Sequence, residues 1–95
     1  MKDQIINAIK NMQTIKFLYD DLERIVEPHT FGCNFKQNDV LRAFQIGGES
    51  STGLNFFKLY SISKIENLEV YGEFNEPRKD YKKGDSAMKV IYAEL

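Results

Sequence analysis

Ninety-five residues, 42% of them hydrophobic and 28% charged, with a formal net charge of -1, describe one globular domain rather than a disordered or membrane chain. No apolar run approaches the ~20 residues of a membrane span, and MKDQIINAIK lacks the unbroken apolar core of a signal peptide. The expected location is therefore the cytoplasm. A net charge this small gives the whole molecule no nucleic-acid signature. Cys33 is the only cysteine, which excludes an internal disulfide and a cysteine-based metal cluster. Within a β-patterned segment it reads as a small hydrophobe.

The first element is predicted as a helix over residues 3–13, where Ile5, Ile6, Ala8, Ile9 and Met12 recur at helical spacing behind Asp3 as N-cap. Such a short helix is marginal alone in water, so its apolar stripe should cover an open end or face of a sheet. From Thr14 the period becomes two, with Ile15, Phe17 and Tyr19 alternating against Thr14, Lys16 and Leu18. Asp20, Asp21 and Leu22 make a turn. The strand that follows, from Glu23 to His29, must end, bulge or lie at an edge at Pro28, which has no N–H to donate. Phe31, Cys33 and Phe35 continue the alternation, with a bend expected at Gly32.

After a polar turn at residues 36–39, a strand from Val40 to Ile46 places Val40, Arg42, Phe44 and Ile46 on one face and Leu41, Ala43 and Gln45 on the other. GGESSTG, residues 47–53, reads as a mobile connection. It is not a phosphate loop, because no Gly-Lys-Ser/Thr ending and no helix follow it. Another strand over residues 54–62 sets Phe56, Lys58, Tyr60 and Ile62 opposite Phe57, Leu59 and Ser61. Ser63, Lys64 and Ile65 then turn sharply into a strand from Leu68 to Phe74, which Glu76 and Pro77 end.

An acidic block, Glu66, Glu69, Glu73 and Glu76, precedes Arg78, Lys79, Lys82 and Lys83, interrupted by Asp80. This run, inside a charged loop over residues 76–87, is either a set of phosphate contacts or a solvated loop. Residues 88–95 read as a final strand through Val90, Ile91 and Tyr92, with a short helix as the alternative. One helix followed by short meandering strands, with no helices between them, predicts a mainly β domain spanning residues 1–95: a small antiparallel barrel over residues 14–75 behind the N-terminal helix.

The order of these pieces resembles the WYL domain family. The resemblance runs through Ile15-x-Phe17-x-Tyr19, Arg24-x-Val26-x-Pro28 with Phe31, Leu41-x-Ala43-Phe44, and Lys58-x-Tyr60-x-Ile62-x-Lys64-Ile65, and covers most of the chain from Ile5 to about Phe74. It departs from the family at Asp39 and Val40, which stand where the naming motif has Trp and Tyr, and at Ser61, where the family has an arginine. The resemblance implies an Sm-like, SH3-type β-barrel in a divergent, stand-alone member. It also implies a regulatory sensor of nucleic acid or a nucleotide-like ligand, of the kind attached to transcription regulation and phage defence. Carried over by position, the ligand contacts would be the cations Arg24, Arg42, Lys58 and Lys64, with Phe44 and Tyr60 as stacking surfaces. Cations that neutralise phosphate beside aromatic faces that stack bases are a workable chemistry for such ligands.

Each of these residues also has a structural role to weigh. Phe44 and Tyr60 are either packing inside the barrel or platforms. Arg42 is either a buried paired cation or a pocket residue, and Lys58 repeats the situation on the next strand. If the two strands pair as a hairpin, the two cations are expected to converge on one site. His29 is the only histidine, so neither a metal site nor a cofactor is expected, and a general base would lack an evident nucleophile. Ser50, Ser51 and Thr52 carry no nucleophile-elbow motif. The leading expectation is a non-catalytic ligand-binding module. A protein-interaction or homodimerising module, or one that docks on a partner regulatory protein, is the alternative, and a small enzyme comes third.

Overall fold

The computed structural model describes residues 1–50 and 53–95. One helix, α1 (Lys2–Lys10), is followed by β1 (Gln13–Tyr19), β2 (Leu22–Asn34), β3 (Asp39–Gly48), β4 (Phe56–Ser61), a 3-10 turn at Ile62–Lys64, β5 (Glu66–Glu73) and β6 (Met88–Glu94). The fold is mainly β, and every strand pairing is antiparallel. Of the connection 47–53, residues 47 and 48 belong to β3, while Ser51 and Thr52 lie outside the described residues.

The helix is shorter than its stripe suggests. Met1, not Asp3, is the N-cap, and Asp3 falls in the first turn, where a carboxylate complements the helix dipole. The helix stops at Asn11 because Met12 takes a left-handed φ of 50, which swings the chain into β1. Asp20 and Asp21, at φ 52 and 62, close the β1–β2 hairpin in two residues. Positive φ at both central positions gives a turn whose twist matches that of the flanking strands, and aspartate tolerates it.

β2 organises the sheet. It pairs with β3 from Arg24 to Cys33 along one edge. On its other edge it pairs first with β1, as far as Val26 opposite Ile15, and from Thr30 onward with β6. Pro28 therefore does not end the strand. It sits between the β1 and β6 ladders, and the register against β3 shifts between Pro28 and Thr30, so the missing N–H is absorbed by a bulge. Gly32 is required where β6 arrives: a Cβ there would lie 2.2 Å from the Val90 carbonyl oxygen.

The strand order is β4-β3-β2-β1-β5, with β6 joined to β2. No ladder joins β4 to β5, so closure into a hydrogen-bonded barrel is not part of this architecture as its pairings stand. The sheet does curl. Tyr60 of β4 reaches across to Phe17 and Tyr19 of β1, each ring centroid 5.1 Å away and edge-on, and the Ser61 N–H donates to the Tyr19 hydroxyl at 3.1 Å.

Inside the curl lie Ile15, Phe17, Val26, Phe31, Leu41, Ala43, Tyr60 and Ile65, with Ile5, Ala8 and Ile9 of α1 packed against them. Burial of a Phe or Ile side chain contributes about 1.5–3 kcal/mol, so this single cluster is the main source of stability. On β3 the core face is Leu41, Ala43 and Gln45, while Arg42, Phe44 and Ile46 are only half-buried.

Gly32→Ala is expected to destabilise the fold by about 1–3 kcal/mol, the cost of forcing atoms into a packed contact. Gly84→Ala should cost only about 1 kcal/mol of backbone strain, since φ there is 73 and nothing lies within 4 Å of the added Cβ. Urea denaturation of both variants measures the difference. Equal midpoints would contradict the close approach of β6.

Candidate functional site

The cations of the sheet divide between its two faces, and the register of β3 on β4 decides which goes where. Ala43 lies opposite Lys58, and Arg42 lies opposite Leu59. Directly opposed residues share a face and neighbours along a strand do not. Lys58 therefore joins the inner side with Ala43 and Tyr60, while Arg42 points outward. The expected convergence of Arg42 and Lys58 is not found: the two are one residue out of step.

Arg42 is committed to the outer face. Its Nε donates to Asp85 at 2.8 Å and its Nη2 to the other oxygen of the same carboxylate at 3.4 Å. Asp85 also accepts from the Ala87 N–H at 2.9 Å. The hydrogen bonds from the Arg42 guanidinium hold the Asp85 carboxyl below its ordinary pKa, against the effect of burial.

Phe44 lies on this outer face too, 5.2 Å from Phe57 in an edge-on pair, and the Arg78 guanidinium covers its ring at 4.3 Å. Arg78 donates to both oxygens of Glu27, at 2.7 and 3.0 Å. Two clefts, of about 410 and 640 Å³, run along this face. Arg42 and Phe57 line the first, Glu27, Phe44 and Arg78 the second. The two arginines that reach these clefts are neutralised by carboxylates, while Lys82 and Lys83 line the first cleft and Lys79 the second, with no ion pair among the described residues.

The inner side differs. At the end of the curl where β1 turns into β2, Arg24 points inward and is 8% exposed. Gly48, opposite Arg24 and at φ 80, lets β3 approach this point, since a Cβ would meet the Glu23 carbonyl oxygen at 2.2 Å. One Nη of Arg24 donates to the Tyr19 carbonyl at 3.3 Å, its guanidinium lies 5.5 Å from the Tyr19 ring centroid, and its buried Nε has no hydrogen-bond partner among the described residues.

Lys58 donates to Gln45 Oε1 and to the Gly53 carbonyl, each at 2.8 Å, and to the Ser50 hydroxyl. The Tyr60 hydroxyl donates to the same Gln45 oxygen at 3.1 Å. Among the described residues neither Arg24 nor Lys58 forms an ion pair with a carboxylate. Burial, and then the nearby charge of Arg24, lower the Lys58 pKa. Burial drives Tyr60 up to about 12, a rise that Arg24 partly offsets. Lys64 stands at the rim, 5.7 Å from the Tyr19 centroid and 4.0 Å from Asp20, an exposed pair that contributes little.

Of the six residues expected at a ligand site, Arg24, Lys58, Tyr60 and Lys64 thus gather at one end of the curled sheet, while Arg42 and Phe44 belong to the other face. Tyr60, 1% exposed, packs in the core and offers no stacking platform. Gln45 and Tyr19 join the cluster without having been expected there. Gln45 carried a readable signal, an amide alternating with Leu41 and Ala43. The partners of His29 are all accounted for: the Arg78 N–H donates to Nε2 at 3.0 Å, and Nδ1 contacts the Glu27 carbonyl at 2.8 Å. Among the described residues no three His, Cys, Asp or Glu side chains are grouped to hold a metal ion.

Comparison with protein-family models, with curated proteins and with solved structures gives no match.

Arg42→Met should lift the Asp85 carboxyl toward the ordinary carboxylate range, measured by carbon NMR of the side chain. A group whose folded pKa is depressed stabilises the fold above its unfolded value of 3.8 and loses that contribution as pH falls through the folded pKa. The variant should therefore be less stable than the parent at neutral pH, by about 1–2 kcal/mol for a charged hydrogen bond partly screened by solvent. The two proteins should converge in acid.

Proposed function

We propose that this chain is a non-catalytic module that recognises a nucleic acid or a nucleotide-like anion, and that it is a divergent WYL-like domain whose curled sheet is an open variant of an Sm-like, SH3-type barrel. The observation that carries this reading is the Arg24–Lys58 pair. Two cations stand together at one end of the sheet, and among the described residues no carboxylate pairs with either and buried Arg24 Nε has no hydrogen-bond partner. Leaving a buried charged donor unmatched costs about 1–3 kcal/mol or more, and an anion held there removes that cost. Lys64 at the rim extends the positive field toward solvent. With Tyr60 buried and Phe44 on the far face, recognition rests on charge more than on base stacking. The contact between β4 and β1 through Tyr19, Tyr60 and Ser61 supports the barrel-like reading.

Titration at low salt with mononucleotides and short single-stranded oligonucleotides tests this. Binding should weaken steeply as salt rises, with a slope that reflects roughly two or three neutralised phosphates. Arg24→Met and Lys58→Met should each lower affinity at least about tenfold, the loss of one charge-assisted hydrogen bond. Arg42→Met should leave it unchanged. No binding at low salt, or equal losses at Arg24 and Arg42, would sink the proposal.

A second reading, as a protein-interaction module, draws on the free outer edges of β4 and β5. β5 is an exposed strand that carries Val70 and Tyr71, 53% and 59% accessible, and an unpaired edge of this kind accepts another strand. Sedimentation at high micromolar concentration decides it for self-association: a dimer that Val70→Lys disperses supports the reading, and a monomer of the parent counts against it.

A further inference from the structure

Residues 74–87, which include the charged loop 76–87 that the charge pattern leaves open between phosphate contacts and a solvated loop, are tied across the outer face of the sheet as a strap, and the central tie is a buried histidine. His29 lies in the stretch of β2 between the β1 and β6 ladders and is 0% exposed. Its ring is enclosed by Phe57 at 4.9 Å, Phe74 stacked at 5.8 Å and Tyr81 at 5.1 Å. Nε2 accepts the Arg78 backbone N–H at 3.0 Å. It must therefore carry a lone pair, and the ring proton sits on Nδ1, donated to the Glu27 carbonyl at 2.8 Å. The histidine holding the strap is the neutral tautomer.

We propose that this strap is acid-sensitive: protonation of His29 at Nε2 turns the acceptor of the Arg78 N–H into a donor, sets two N–H groups against each other in a closed aromatic box, and loosens the strap around Arg78. The charged and titratable groups around the ring agree with this. On β2, Glu27 favours the charged ring, and on the strap Arg78 opposes it. Tyr81, also on the strap, is uncharged, its own pKa raised chiefly by burial. Phe57 of β4 and Phe74 carry no charge, and Leu95 donates its backbone N–H to the His29 carbonyl at 3.0 Å while its own oxygen accepts from the Tyr81 hydroxyl at 3.0 Å. Burial outweighs Glu27, so the ring titrates below its ordinary 6.5.

The other ties are not broken by the same proton. The Arg78 side chain stays on Glu27, and Asp85, held ionised by Arg42, keeps the far end of the strap in place. Loosening is thus centred on the backbone of the strap nearest His29, while the Arg78 guanidinium keeps its place over Phe44. The sign of the linkage follows. A histidine whose folded pKa is depressed binds fewer protons folded than unfolded, so stability is full above about pH 6.5 and declines as pH falls from there to the folded pKa.

Nitrogen NMR of the full chain, titrated from about pH 8 to about pH 4 across the ordinary histidine value, tests the strap directly. The expected result is that the Arg78 amide shift moves with the His29 ring nitrogens, at one midpoint below 6.5. Amide-exchange protection of Arg78 and Tyr81, corrected for intrinsic rate, should fall about tenfold across that midpoint, the factor a lost buried hydrogen bond gives. Phe31 and Leu41 in the core should keep theirs. His29→Gln, which keeps an acceptor that does not titrate, should make strap protection independent of pH. If that variant does not fold, Arg78→Ala serves instead: the backbone N–H remains, the opposing charge is gone, and the His29 midpoint should rise. Strap amides that stay protected while His29 protonates would overturn the proposal. So would a His29 that remains neutral until strap and core lose protection together.

Discussion

A single strand, β2, carries both sides of the molecule, and its continuity is the constraint on which the rest depends. Over 13 residues it keeps β3 on one edge and exchanges β1 for β6 on the other. The exchange leaves residues 27–29 between ladders, and backbone polar groups buried at such a point require partners other than a neighbouring strand. They find them in the strap and the C-terminal residue: the Arg78 N–H reaches the His29 ring, which in turn meets the Glu27 carbonyl, and the Leu95 N–H reaches the His29 carbonyl. Pro28, the one residue in this gap with no N–H to satisfy, is suited to the place. The strap is thus the consequence of a strand long enough to serve two ladders.

Charge follows the same geometry. On the outer face each arginine is matched by a carboxylate, Arg42 by Asp85 and Arg78 by Glu27, and the matched pairs fasten the strap. On the inner side Arg24 and Lys58 stand without such matches among the described residues, supported by neutral oxygens from Tyr19, Gln45, Ser50 and Gly53. The outer ion pairs hold the chain together, while the two inner cations are met by neutral oxygens. That asymmetry separates structural cations from candidate ligand contacts more clearly than residue type does.

Much of the secondary structure was legible because it is written locally. The change of period at Thr14, the paired aspartates at 20 and 21, and the alternation on β3 each depend on neighbours a few residues apart. Where the reading went astray, the deciding partner was distant. Asp3 did not cap the helix because the chain entered it two residues earlier, with Met1 as the cap. The charged run at 78–83 was read as either phosphate contacts or a solvated loop, and its charged residues are exposed, but that reading did not show that Arg78 finds Glu27 fifty-one residues away. Arg42 and Lys58 looked alike in their strands, each a cation among aromatics.

The sequence by itself determined the helix, the strands, which residues of each strand share a face, and that Gln45, Arg24 and Lys58 would interrupt apolar alternations. Those properties follow from the two-residue period of a strand and the 3.6-residue period of a helix. Only the tertiary structure decided that Ala43 rather than Arg42 lies opposite Lys58, that His29 fastens a strap, and that β4 meets β1 through side chains and not through a ladder. Register between strands is set by how whole faces fit against one another, and a shift of one residue exchanges the two faces without altering any local pattern.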